Sequence, residues 1–471
     1  MENVLASRYA SAPMVDLWST TGKIMLERQL WIAVMAAQKE VGLDISDQTL
    51  ADYQAVVEQV DLASIRKREE VTRHDVKARI EEFCALAGHE QIHKGMTSRD
   101  LTENVEQLQV RRGVEIILDR VVAALARLGA LAAEHRDQTM VGRTHNVPAQ
   151  ATTLGKRFAT VAEELLLAHQ HLTDLLVAYP LRGLKGPVGT QQDQLDFFDG
   201  DIDKVTQLEN QVAQHLGFKK VLNSVGQVYP RSLDFAVVAG LVQTSGAPAN
   251  LARTLRLMAG HELATEGFQP GQVGSSAMPH KMNARSCERI NGLAVVLRGH
   301  LTMVEGLVGD QWNEGDVSCS VVRRVALPDA FLAADGLFQT FLTVLDDLGA
   351  YPAVIEHELT QYMPFLATTR VLVAAMQAGL GREEAHEIIK EHAVAAALSR
   401  REDPQGGTDL LTRLGNDPRL PLDQAALETL LANPAVFVGN AGAQVDAVIS
   451  RIAEVVAERP EAAAYYPEKI L

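Results

Sequence analysis

Between Leu101 and Gln138 the chain contains no proline. Leu101, Val105, Leu108, Ile117, Val121, Leu125 and Leu128 recur at the three- and four-residue spacing of one helical face. At 1.5 Å per residue this predicts a rod of roughly 55 Å, a length typical of bundles. Thr97-Ser98-Arg99-Asp100 precedes it, a hydroxyl residue followed three positions later by an acid, which is the form of a helix start. The same periodicity predicts helices over 23–42 (Leu26, Leu30, Val34 and Val41 on one face), 50–60 and 76–86. Further helices are predicted over 149–179, 201–217, 232–267 with a break near Pro248, 284–311, 329–348 and 382–398. Turn-rich stretches fall at 140–148, 180–191, 403–408 and 416–421, and Pro352 and Pro364 mark a boundary. The pattern predicts an all-α fold with about five long helices. Its units are an N-terminal mixed helical domain at 1–100, a central long-helix bundle at 101–351 and a small helical domain at 352–471.

Composition narrows the function. Hydrophobic residues make up 47% of the chain and aromatic residues 5%, which suits an aliphatic helical core. The formal net charge of −16 argues against a nucleic-acid binder, whose footprint is basic. A small anionic substrate is still allowed, because local arginines can oppose the global field. Three cysteines give no disulfide framework and suit a reducing compartment. No run of about 18 apolar residues is evident, so no membrane span is expected. The N-terminus lacks a secretory pattern, and a cytoplasmic protein is expected.

The densest chemistry lies in Gly271–Arg289, GQVGSSAMPHKMNARSCER. Glycines and Pro279 exclude regular structure in its first part, and helical spacing returns from Ala284. It reads either as a solvated surface loop or as a binding loop carried on a helical scaffold. Arg143-Thr144-His145-Asn146, between two long helices, offers a loop histidine for acid–base work or a plain surface histidine. His74-Asp75 could orient an imidazole, or lie on an exposed helix face. Thr97-Ser98 caps a helix, and such N-termini also attract anions. Arg323 and Arg324 suit carboxylate or phosphate capture, or form a solvated charge pair. His89-Glu90-Gln91-Ile92-His93 has the spacing of a zinc-peptidase helix. However, Gly88 and Gly95 bracket it, a third ligand is not indicated, and no metal is assigned. The glycines at 183, 186 and 189 fit neither common nucleotide-binding pattern.

Taken together, these segments resemble the fumarase/aspartase superfamily, and within it the branch that cleaves adenylosuccinate. The signature is Gly274-Ser275-Ser276-Ala277-Met278-Pro279-His280-Lys281-Met282-Asn283. Arg73-His74-Asp75, Thr97 to Asp100, Arg143-Thr144-His145 and Ser320 to Arg324 support it. The match runs in order from Arg8-Tyr9 to Pro328-Asp329, while the last hundred or so residues add little. The resemblance implies three largely helical domains around a five-helix bundle. It also implies a homotetramer formed through that bundle, with each active site shared between subunits. The implied reaction is β-elimination of fumarate from adenylosuccinate, giving AMP, and from the ribotide SAICAR, giving AICAR, without cofactor or metal.

By the same resemblance, Ser275 is the base and His145 the acid, with Glu288 orienting His145. Lys281 and Asn283 stabilise the carboxylate that develops negative charge, beside Ser276. His74 acts at the reacting end, in a substrate-binding segment with Arg73, Asp75, His93, Thr97 and Ser98, and with Gln227 nearby. Arg8, Tyr9, Arg289, Ser320 and Arg324 hold phosphate and carboxylates. Two positions depart from the pattern. Gly315 stands where an arginine is usual, leaving Arg323 to replace its contact or the contact to be lost, and Ala284 stands where a proline is usual. The implied alternatives are an argininosuccinate lyase or a muconate cycloisomerase of the same fold. A zinc peptidase and a catalytically silent helical scaffold are more distant.

Overall fold

The computed structural model describes residues 3–267, 277–403 and 407–467, and it is overwhelmingly helical. Five long helical segments carry the core: Ser98–Glu134, Leu154–Ala178, the pair Ser232–Thr244 and Gly246–Gly260, Arg285–Glu305, and Cys319–Asp347. The 98–134 helix packs on the 154–178 and 319–347 helices, and the 285–305 helix packs on 319–347 and on the 232–260 pair. The facing positions are those of the sequence pattern, with Leu101, Val105, Ile117, Val121, Leu125 and Leu128 fully buried. Residues 371–427 hold a separate small apolar core, whereas Val445, Val448 and Ile452 of the helix Ala441–Glu458 return to the main one.

Differences from the sequence pattern have local causes. The 319–347 helix begins ten residues before the predicted 329 and carries Pro328 inside it. Pro248 does not break its helix. The break falls at Ser245, and Pro248 sits in the first turn of the next helix, where the missing N–H costs nothing. Similarly, Pro352 opens the helix Pro352–Leu366 and Pro364 lies within it. The helix Leu62–Thr72 was not predicted, because its exposed faces lack an apolar stripe. The 319–347 helix is long and apolar enough to cross a membrane, but 83% of its apolar window is buried inside the protein, as befits a core helix.

The first turns of the 98–134 helix bury charge as well as hydrocarbon. Asp100 and Glu103 have no solvent exposure. Asp100 Oδ1 accepts from Arg182 Nη1 at 2.6 Å and from the backbone N–H groups of Lys185 and Gly186 at 2.9 and 3.0 Å. Its Oδ2 accepts from Thr97 N at 2.9 Å, capping the helix as the sequence predicts. Glu103 Oε1 accepts from Arg231 Nη2 at 2.9 Å. Arg323 Nε donates to Asp234 at 2.7 Å, and its other nitrogens reach Glu106 and the Tyr229 hydroxyl. Burial would raise the Glu106 carboxyl, yet Arg323 and Lys23 hold it at about 2. The 180–191 turn therefore gives the backbone N–H groups of Leu184, Lys185 and Gly186 to the carboxylates of Glu209 and Asp100. Gly183, at φ 87°, is required there, because a Cβ would lie 2.3 Å from Glu209 Oε1.

Removing one partner of such a pair strands the other in the core. Asp100→Ala is expected to destabilise the protein by about 3–5 kcal/mol, read as a lower urea midpoint by circular dichroism. A change below about 1 kcal/mol would remove this pair from the account.

Candidate active site

The expected site residues lie on four separate pieces of the scaffold. In the first, Arg73 ends a helix in the left-handed region (φ 52°), and exposed His74 caps the helix Asp75–Ala87. His74 Nδ1 accepts from Lys77 N at 3.3 Å, which leaves Nε2 as the ring nitrogen able to donate. Burial would raise the Asp75 carboxyl, but Arg79, at 2.7 Å, and the Val76 N–H bring it below its usual range. Arg79 also lies 3.0 Å from Glu27, whose carboxyl burial pushes up to about 7. His93 is held at φ 67°, with Nδ1 accepting from Trp31 Nε1 at 3.0 Å, and burial pushes it down to about 4. His89 instead bonds Asp52 at 2.7 Å, and the segment from His89 to His93 is not helical. The zinc-peptidase spacing therefore fails to bring the two imidazoles onto one helical face. Thr97 caps the long helix and Ser98 is its first residue.

The second piece is a β-hairpin where the sequence showed only a loop. Strand β1 (Thr139–Thr144) pairs antiparallel with β2 (Val147–Thr153), and Thr144 opposes Val147. The connection is thus His145-Asn146 alone, both at positive φ (51° and 62°), as a type I′ turn requires. Histidine and asparagine tolerate that region better than most residues. His145 stands exposed at the tip, with no hydrogen bond or ion pair to any described residue.

The third piece leads into the helix Arg285–Glu305. Ser275 and Ser276 lie outside the described residues. Exposed Lys281 and half-buried Asn283 share a cleft of about 1090 Å³ with His280, Glu288, Arg253 and Arg256. Glu288 faces Arg256 at 3.7 Å, so within one chain it does not orient His145. Ala284 is the residue before the first helical turn, and a residue that sequence reasoning missed does the capping. Buried Glu266 accepts from Ser286 N and Cys287 N, each at 2.9 Å. It directly follows β3 (Ala264–Thr265), which pairs with β4 (Gly349–Ala350). Nothing in its sequence neighbourhood marks it, because its partner amides lie about twenty residues on.

The fourth piece gathers the expected anion anchors. Arg289 lies over the Tyr9 ring, 5.5 Å from guanidinium carbon to centroid, so these two are brought together. Arg8 is exposed beside them in sequence, and Ser320 and exposed Arg324 occupy the first turns of the 319–347 helix. Gln227 N donates to Glu314 O. This packing explains Gly315, since a Cβ there would sit 2.4 Å from Gln227 Cβ. Arg323 cannot take over the missing arginine's contact. It is buried and committed to Asp234, Glu106 and Tyr229.

Residues 14–299 match the family model described as Lyase, and the fold and site define a lyase of the fumarase/aspartase superfamily. Residues 364–448 match the model described as Adenylosuccinate lyase C-terminus, in a region where the signature residues give no guidance. The adenylosuccinate lyase of Saccharomyces cerevisiae is 36% identical over 454 residues, covering 95% of this chain and 93% of that one. That of Schistosoma mansoni is 34% identical, covering 95% and 94%. The chain belongs to the adenylosuccinate lyase family. The fold is also that of a fumarate lyase from Mesorhizobium sp. BNC1, with TM-score 0.79 at 23% identity, covering 94% of this chain and 98% of that one. A 3-carboxy-cis,cis-muconate lactonizing enzyme from Pseudomonas putida has TM-score 0.81 at 20% identity, covering 97% and 100%.

His93 gives this site a pH signature. Its folded pKa lies below the unfolded value, so the unfolded chain takes up a proton that the folded one refuses. The stability from neutral His93 is complete above about pH 6.5 and is lost as pH falls toward about 4. His93→Gln is expected to flatten the stability–pH curve in that window by up to about 1.4 kcal/mol per pH unit. Parallel curves for variant and parent would contradict it.

Proposed function

We propose that the protein cleaves adenylosuccinate to AMP and fumarate, and the ribotide SAICAR to AICAR and fumarate. The observation that carries this reading is the 36% identity to an adenylosuccinate lyase across 95% of the chain. In the proposed step Ser275 removes a proton from the succinyl carbon beside the carboxylate. The electron pair left there forms the new C=C bond, and the C–N bond breaks toward nitrogen. His145 returns a proton to that nitrogen. Lys281 and Asn283 oppose the charge that builds on the adjacent carboxylate, which is where a fixed donor contributes most. His74, Arg73, Asp75, His93, Thr97, Ser98, Ser276 and Gln227 bind substrate. Arg8, Tyr9, Arg289, Ser320 and Arg324 hold its phosphate and carboxylates.

The working form in this reading is a cytoplasmic homotetramer with shared sites. Two features support sharing. The His145 side chain at the hairpin tip has no hydrogen bond or ion pair to any described residue, and Glu288 faces Arg256 instead of His145. The bundle also leaves Val295, Val321 and Leu167, on three of its helices, exposed at 64%, 70% and 60%, and assembly would cover such side chains. A sister lyase acting on another succinyl amine is the second reading, favoured by the arginine missing at Gly315.

Loss of adenylosuccinate, followed by ultraviolet absorbance, tests the reaction. Turnover is expected, and His145→Ala and Ser275→Ala should each lower kcat by about 10²–10⁴ while the oligomer persists. Turnover of argininosuccinate but not of adenylosuccinate would favour the sister lyase.

Sharing has its own test. His145→Ala and Ser275→Ala proteins, dissociated and reassembled together, should regain part of the parent activity. A mixture as inactive as its components would place each site within one chain.

A further inference from the structure

The hairpin of β1 and β2, the start of the 154–178 helix and the end of the 246–260 helix enclose a second cavity, of about 550 Å³. Arg143, Lys156 and Arg157 line it, and no aspartate or glutamate does. Asn250, Thr254 and Thr144 add polar groups, while Leu257, Met258 and Leu263 form an apolar wall. The carboxylate acting on these cations is Glu358, which pairs with Arg143. Glu358 also acts on Arg157, but the Lys156 and Arg157 side chains have no hydrogen bond or ion pair to any described residue. Burial lowers the Arg157 pKa, and the neighbouring Arg143 charge adds to that against the pull of Glu358. Arg143 Nε is itself buried without a hydrogen-bond partner among the described residues.

Three cations thus face one carboxylate, and two positive charges are left over in a concave, partly desolvated place. We propose that this cavity binds a phosphate group, free or carried by a small monoester, with Arg157 and Lys156 as its ligands. A phosphate group carries close to two negative charges at neutral pH and would balance the excess. The Arg157 guanidinium can grip two of its oxygens at once. The volume exceeds what a lone phosphate fills, and the apolar wall suits the body of a monoester. The cavity shares the 139–153 hairpin with the site described above but not its anion anchors. Arg8, Arg289, Ser320, Arg324 and His145 are not among its lining residues. It nevertheless touches Thr144 and Asn146 on either side of His145, so its occupant would lie against the hairpin that presents that histidine. The proposal does not depend on which C–N bond the enzyme cleaves.

Calorimetric titration of the whole protein with inorganic phosphate, and separately with ribose 5-phosphate, tests it. Soaked crystals locate the ligand. At least one of the two ligands is expected to bind, with density against Arg157. Arg157→Gln and Lys156→Gln should each weaken that event at least tenfold, and should remove the rise in unfolding temperature that it causes. Which ligand binds identifies the source of the phosphate group. If Arg157→Gln does not fold, Lys156→Gln decides the matter alone. Affinities unchanged in the folded variants, or density confined to Arg8, Arg289 and Arg324, would overturn the proposal.

Discussion

The structure depends on the pairing of three carboxylates on one face of a helix with three arginines from elsewhere in the chain. Asp100, Glu103 and Glu106 stand three apart at the start of the 98–134 helix, so they share a face. Arg182, Arg231 and Arg323 meet that face from the 180–191 turn, from the start of the 232–244 helix and from the 319–347 helix. Apolar packing makes the bundle, but it does not by itself fix where these irregular segments lie. Buried ions do so harshly, because a misplaced segment leaves a charge without a partner in the core. Gln227, Gly315, Ser320 and Arg324 all belong to segments set this way. The glycine at 315 is part of the same constraint, since Gln227 occupies the space of its side chain.

A second carboxylate sets the other half of the site. Glu266 lies just before the signature segment, and its two oxygens cap the helix that begins just after it. One side chain therefore fixes the distance between the ends of that segment. It also occupies the helix terminus, a place that otherwise attracts anions. In the proposed reaction the substrate carboxylates then rely on side chains such as Lys281 and Asn283, which line the cleft beside that helix start. The Cys287 thiol beside Glu266 is pushed upward by burial and by the carboxylate, so it is no candidate nucleophile.

Much of this was legible in the residues, and the parts that were not share a physical reason. Periodicity placed the long helices because each buries one continuous apolar stripe, as Leu101 to Leu128 do. The cap at Thr97 was legible because it is a local hydrogen bond. The hairpin at 139–153 was not. Its turn residues are His145-Asn146 instead of the usual Asn-Gly, and its strands are short and half-exposed. The role of Arg323 was misjudged because sequence shows a charge but not its burial. Glu266 and Glu358 were invisible because their partners are supplied by tertiary contacts, Glu358 being 215 residues from Arg143.

An acidic protein with anionic substrates raises a question that the local charges answer. With a net charge of −16, the protein as a whole would repel a nucleotide. At physiological ionic strength, however, exposed charges are screened beyond about 8 Å, and a ligand in a cleft senses mainly the groups that line it. In the hairpin cavity the balance reverses, with Arg143, Lys156 and Arg157 and no carboxylate in its lining, and in the other cavity Glu262, Glu266 and Glu288 offset Arg253, Arg256 and Lys281. The residues Leu257 and Met258 of the helix between them help to wall the hairpin cavity. The bulk of the acidic residues keeps the surface soluble, while the few cations left without full pairing mark where an anion can bind.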